Sequence, residues 1–147
     1  MKKLWMVGAL VVAFAGGFML RGVVPGEPVT YAQAPGRVFE LRTYTAVDAE
    51  KLAALHARFK NHTLRIFEKH GMQNVGYWKP MDTPLSANTM IYVIAHKSRA
   101  AATQSWTAFR NDPEWTKVST ESEANGRILA KAPESVYLEA TDYSPLK

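Results

Sequence analysis

The sequence predicts an α+β domain of ferredoxin-like order, βαββαβ, in which a four-stranded antiparallel sheet carries its helices on one face. Three observations lead there. Arg37–Thr45 alternates like a strand; Asp48–Gly71 holds apolar residues at helical spacing between a capping aspartate and a glycine stop; and Thr89–Lys97 is apolar enough through its middle for a central strand.

The elements follow in order. The first strand opens the domain at about Arg37. Asp48 is an N-cap for a helix running to about His70, where Gly71 ends it. Asn74–Met81 reads as a second strand, and the turn-rich Asp82–Asn88 links it to the third, Thr89–Lys97. Ser98 caps a second helix that carries Ala102, Trp106 and Phe109 on one side. Asp112-Pro113-Glu114 starts a short helix, with the aspartate as cap, proline at the first helical position and glutamate at the positive helix end. Ser135–Asp142 closes the chain as a fourth strand.

Ahead of the domain lie two further segments. Lys2 and Lys3 precede Leu4–Leu20, an uncharged and mostly apolar stretch of 17 residues that ends at Arg21. Residues 1–21 therefore read as an N-terminal signal anchor or a cleaved signal peptide, since 17 residues is longer than the usual apolar region of a signal peptide, about 7–15, and at the lower edge of a membrane span, about 17–25. Two lysines before the stretch against one arginine after it place the domain outside the cytoplasm, facing the periplasm in a bacterium, or secreted if the signal is cleaved. Residues 22–36, with three prolines and three glycines, read as a tether, and residues 37–147 as the domain.

Composition narrows the function. The 147 residues are 47% hydrophobic, enough for one ordinary core plus an appendage. The formal charge of +5 shrinks to +3 once Lys2, Lys3, Arg21 and Glu27 are set aside, and there is no basic run, so nucleic acid is not expected as a partner. Cysteine is absent, which excludes disulfides and thiolate chemistry. No GxSxG and no phosphate-binding glycine loop occurs.

The candidate chemistry centres on Glu40, Arg42 and Tyr44, three polar groups on one face of the first strand. With Tyr92, and Tyr137 or Glu139, they are expected on the side of the sheet away from the helices, where a second copy of the chain is the simplest cover. Either Arg42 pairs there with Glu139 or with Glu40 of a neighbouring strand to satisfy a buried dimer interface, or it binds an anionic or enolate-like ligand that Tyr44 and Tyr92 also contact. On the first helix, a wheel at about 100° per residue gathers Leu52, Leu55, His56, Phe59, Thr63, Ile66, Phe67 and His70 on one arc, leaves His62 at its edge and sets Arg58 opposite. His56 and His62 are the candidate proton-transfer residues, and His70 is expected to cap the helix end. Histidines 56 and 70 stand about 21 Å apart along a helix, so no metal site is expected. His96 is expected at the surface. Trp106, Phe109 and Trp115 are core by spacing, with Trp106 also a ligand-binding candidate; Tyr77 and Trp78 face opposite sides of their strand.

Glu40-Leu-Arg-Thr-Tyr44, Lys69-His-Gly71, Val75-Gly-Tyr-Trp78 and Asp112-Pro-Glu-Trp115, in that order on this frame, resemble a single NIPSNAP domain from about Val38 to the end. The resemblance implies a dimeric α/β barrel in which two such sheets face each other, and kinship with antibiotic-biosynthesis monooxygenase-like barrels; it implies no cofactor and no settled activity. Two classes of function follow. One is a small-molecule binder or enzyme of cofactor-independent oxygenase-like or proton-transfer type, and the other a non-catalytic, membrane-tethered interaction module. For the export signal, alkaline phosphatase fused after Arg37 is expected to be active outside the cytoplasm; an inactive fusion reverses the topology.

Overall fold

The computed structural model describes residues 36–147. The export segment expected in residues 1–21, and all of the tether but Gly36, lie outside the described residues. Among the described residues no helix is long and apolar enough to cross a membrane. Strand β1 (Val38–Thr45) leads into α1 (Ala49–Arg58), a π-helical turn (Phe59–Thr63) and α2 (Leu64–Lys69); β2 (Gln73–Trp78) and β3 (Thr89–His96) follow, then α3 (Arg99–Arg110), α4 (Pro113–Ser122) and β4 (Glu134–Leu138). The sheet order β2-β3-β1-β4, antiparallel throughout, is the βαββαβ plan with β3 and β1 central.

Local chemistry sets the helix starts where the sequence placed them, whereas β2 ends at Trp78 and β4 at Leu138, short of the expected Met81 and Asp142. The Asp48 carboxylate accepts the Lys51 N–H at 2.7 Å, and Ser98 Oγ accepts the Ala101 N–H at 3.1 Å, each satisfying a donor that the first helical turn leaves free. Gly71 stops α2 at φ +75°, a backbone conformation that side chains disfavour. Gly76 in β2 has a different reason: a Cβ there would lie 2.5 Å from the Trp78 indole, which folds back over it.

The long first helix is continuous in direction but not in pitch. At the π turn the Leu64 N–H reaches back to the Phe59 carbonyl, five residues away. Within that turn His62, expected at the edge of the apolar arc, is exposed, while Thr63 is buried. Arg58, expected outside, is buried: its guanidinium lies 5.2 Å from the Trp115 ring and bonds Ser122 Oγ at 3.2 Å.

The core lies between the sheet and all four helices, and it is mostly rings. Phe67 sits 5.0 Å from Phe109, 5.5 Å from Trp106 and 6.0 Å from both Phe59 and Tyr92, while Tyr77 stacks on Tyr92 at 5.4 Å.

This core corrects one expectation. Glu40, Arg42, Tyr44 and Tyr92 do not face the side away from the helices; they lie beneath them, and Tyr44 and Tyr92 belong to the core. The side away from the helices holds the alternate residues instead, with the register bringing Leu41, Val93 and Val136 into one row and Thr43 beside Ile91; at its Phe39 end the C-terminal residues Thr141, Ser144 and Leu146 lie against it. Period-two alternation separates the two faces of a strand but does not say which meets a helix. Arg42 also finds Glu40 of its own strand, not of a neighbouring one.

Phe67→Ala is expected to cost about 3–5 kcal/mol, because it empties the centre of the ring cluster, whereas Val47→Ala on the surface should stay within about 0.5 kcal/mol. Urea denaturation of both variants checks this; equal midpoints would place the core elsewhere.

Candidate functional site

Glu40 is 1% exposed, yet its carboxylate is fully engaged. Oε1 accepts from Arg42 Nη1 at 2.6 Å and Ser135 Oγ at 2.6 Å; Oε2 accepts from Trp106 Nε1 at 2.7 Å and meets His96 Nε2 at 3.0 Å. Burial alone would raise its pKa, but the bonds from His96, Ser135, Trp106 and Arg42 outweigh it and lower the group from 4.5 to about 2. An ionised carboxylate only accepts, so His96 Nε2 carries the hydrogen. Glu40 is therefore a fixed anion and not a base.

Arg42 turns this anion toward a space. Its guanidinium lies 4.4 Å from the Trp106 ring and 5.6 Å from the Tyr44 ring, with the side chain 14% exposed. Burial works against its charge, and Tyr44, Tyr92 and Glu40 around it more than offset that, so it titrates above the ordinary arginine value. Tyr92 donates to the Tyr44 hydroxyl at 3.1 Å, which leaves the Tyr44 hydrogen free to turn elsewhere. Burial pushes the Tyr92 phenol well above its usual value.

The space is a cleft of about 340 Å³ between the β1–β4 side of the sheet and helices α3 and α4. Glu40, Arg42 and Tyr44 form its floor, Trp106, Phe109 and Trp115 one wall, and Ser135 and Tyr137 on the edge strand the other; Arg110 stands at the rim. Its walls are aromatic, and its charges are Arg42, paired with Glu40, and Arg110 at the rim.

Two motifs hold the α4 wall in place. Asp112 Oδ1 caps α4 through the Glu114 N–H at 2.8 Å, while Oδ2 receives Lys69 Nζ at 2.7 Å and His70 Nε2 at 2.6 Å. Those two partners keep Asp112 well below the usual carboxylate range. His70 is the C-cap residue of α2 through its backbone N–H, but its imidazole turns to Asp112 and so ties α2 to the N-cap of α4, two residues ahead of Glu114 and three ahead of Trp115.

The predicted ligand set therefore comes together: Glu40, Arg42, Tyr44 and Trp106 line one cleft, and Tyr92 backs it through Tyr44. The predicted histidines do not join it. His62 lines a separate groove with Arg58 and Ser122 between α1 and α4, and His56 is half-buried, with no partner for Nε2 among the described residues and its pKa lowered by burial and by Lys79. His96, expected at the surface, is buried at the heart of the Glu40 cluster. Its phase with Ile94 and Tyr92 was the available signal. Ser135 gave none, because only the β1–β4 register sets it opposite Arg42. Among the described residues no cluster of histidine and carboxylate groups could hold a metal ion.

Trp106→Phe keeps an aromatic ring, though a smaller one, but removes one of Glu40's four donors, and is expected to cost about 1.5–3 kcal/mol in urea denaturation at neutral pH. An unchanged midpoint would show that the indole N–H bond adds nothing.

The NIPSNAP family model matches residues 39–145. A NIPSNAP family protein from Agrobacterium tumefaciens superposes with a TM-score of 0.64 at 19% identity, over 76% of this chain and 95% of that one. A monooxygenase of Streptomyces coelicolor, from the gene ActVA-Orf6 and in complex with nanaomycin D, gives 0.53 at 12% identity, over 73% and 89%. SnoaB, a cofactor-independent oxygenase from Streptomyces nogalater, gives 0.50 at 14% identity, over 75% and 98%. These are likenesses of fold. No curated protein matches the chain.

Proposed function

The chain belongs to the NIPSNAP family, and from that premise we propose that it binds a small, planar, anionic organic molecule in the cleft beneath α3 and α4 and eases loss of a proton from it. The observation that carries this reading is the Arg42 guanidinium, held at Glu40 and stacked on Trp106, at the floor of a cleft walled by rings. A flat ligand stacks between Trp106, Trp115 and Tyr137, and its acidic oxygen meets Arg42, with Arg110 at the rim reinforcing the positive potential. Charge that develops on an enol or phenol as its proton leaves is stabilised there, by donors already in position. Glu40 takes no proton because all its acceptor sites are filled. The proton departs to water through the open side along β4, where Ser135 is exposed. His56 and His62 have no part in this reading, since neither lines the cleft. The oxygenases of like fold supply an analogy for oxygen chemistry on such an anion, as an analogy of fold only.

The helix-free sheet face supports the second part of the proposal: a homodimer, with two sheets packed face to face as in an α/β barrel. Leu41, Ile91, Val93, Val136 and Leu138 share that face, and Val136 is 54% exposed, more than an apolar strand residue keeps when its sheet is covered. The apolar segment at residues 4–20 supports export and tethering of this dimer at a membrane, so the same face would serve a non-catalytic interaction module if the cleft stayed empty.

Tryptophan fluorescence of the full-length protein titrated with 1-hydroxy-2-naphthoate is expected to show saturable quenching, weakened about tenfold or more in Arg42→Met, with neutral naphthalenemethanol binding poorly to both. Absence of quenching, or equal affinity in the variant, overturns the ligand reading. In sedimentation at micromolar concentration the protein is expected to run as a dimer and Val136→Asp as a monomer; a monomeric wild type removes the dimer.

A further inference from the structure

We infer that His96 is a positioning residue, holding Arg42 in its ligand-facing pose through Glu40 while never touching the ligand; the inference rests on the cleft reading above. His96 ends β3 opposite Val38, and its side chain is 0% exposed. It does not line the cleft. Tyr137, which does, packs beside the imidazole with ring centroids 6.3 Å apart, and Arg99 covers Tyr137 with its guanidinium 3.2 Å from the ring.

The effect is geometric. The last torsion of a glutamate is soft, so a carboxylate gripped at one oxygen alone can swing. His96 from β3 and Trp106 from α3 grip Oε2 from inside the fold, and Oε1 is left pointing at Arg42 and Ser135. Arg42 is thereby aimed by a residue two hydrogen bonds behind it, through Glu40.

The imidazole also carries a cost that a filler would not. With Nε2–H committed to Glu40, Nδ1 is buried and has no partner among the described residues. A hydrocarbon would pack there without that unmet atom, so what His96 brings is the single donor that Glu40 Oε2 receives from the strand side.

The test uses the full-length protein with His96→Gln, which keeps a donor near the Nε2 position, and His96→Leu, which does not. Nitrogen-15 NMR of the wild-type imidazole is expected to show the Nε2-protonated form; an Nδ1-protonated ring overturns the inference without any variant. The Arg42 guanidinium protons are expected to be resolved and slowly exchanging in wild type and His96→Gln, and averaged in His96→Leu. Affinity for 1-hydroxy-2-naphthoate should fall about tenfold in His96→Leu, recover in His96→Gln, and show no further loss when His96→Leu is added to Glu40→Gln. A lower melting temperature in His96→Leu with unchanged Arg42 signals and affinity would reduce His96 to packing. Should the naphthoate fail to bind even the wild type, the cleft reading falls, and the Arg42 signals still decide this inference.

Discussion

A charged carboxylate cannot sit beneath a helical layer unless nearly every lone pair meets a donor, and the way Glu40 meets that demand organises this domain. Its partners come from four elements: Arg42 on β1, His96 on β3, Trp106 on α3 and Ser135 on β4. Removing any one leaves a buried charge short of a bond. The same contacts that fix the sheet edge against α3 therefore also fix Arg42, so the fold and the candidate site share one set of bonds.

Around that anion the remaining features fall into place. Trp106 serves the carboxylate with its N–H and Arg42 with its face, which is why an indole suits the position better than a phenyl ring. The Lys69-His70-Gly71 and Asp112-Pro113-Glu114-Trp115 motifs, 42 residues apart from His70 to Asp112, turn out to be one joint: the first ends α2, the second begins α4, and Asp112 binds both basic groups while capping the new helix. That joint sets Trp115 against Phe109 at 4.4 Å and completes the aromatic wall. A site built from local motifs thus depends on contacts made far along the chain.

Much of this was legible in the sequence because it is written locally. Caps at Asp48, Ser98 and Asp112, the stop at Gly71 and the alternation of β1 are each decided within a few residues, so element order and sheet plan follow. The crowding of Glu40, Arg42 and Tyr44 on one strand face marked the site as well. The facing of that strand was not legible. Leu41 with Val93 looks as core-like as Tyr44 with Tyr92, and only the donor count around Glu40, a tertiary fact, shows that the polar set is the one the helices cover. The π turn that holds His62 has a wider pitch that no wheel at a fixed angle anticipates. Ser135 depends on register across strands more than ninety residues apart, which no local pattern carries.

The claim at the centre is that Glu40 stays ionised inside the protein because four donors hold it. Its folded pKa, about 2, lies below its ordinary value of 4.5, so the stability it contributes is present above pH 4.5 and is lost as pH falls through about 2. Carbon-13 NMR of the Glu40 side-chain carboxyl, followed from pH 7 downward while the fold persists, measures this directly. The account predicts a carboxylate shift that holds steady through pH 4 and moves only as the protein approaches pH 2. A midpoint at or above 4.5 would mean that the four donors do not hold the charge, and the arrangement of Arg42 and the cleft would lose its foundation.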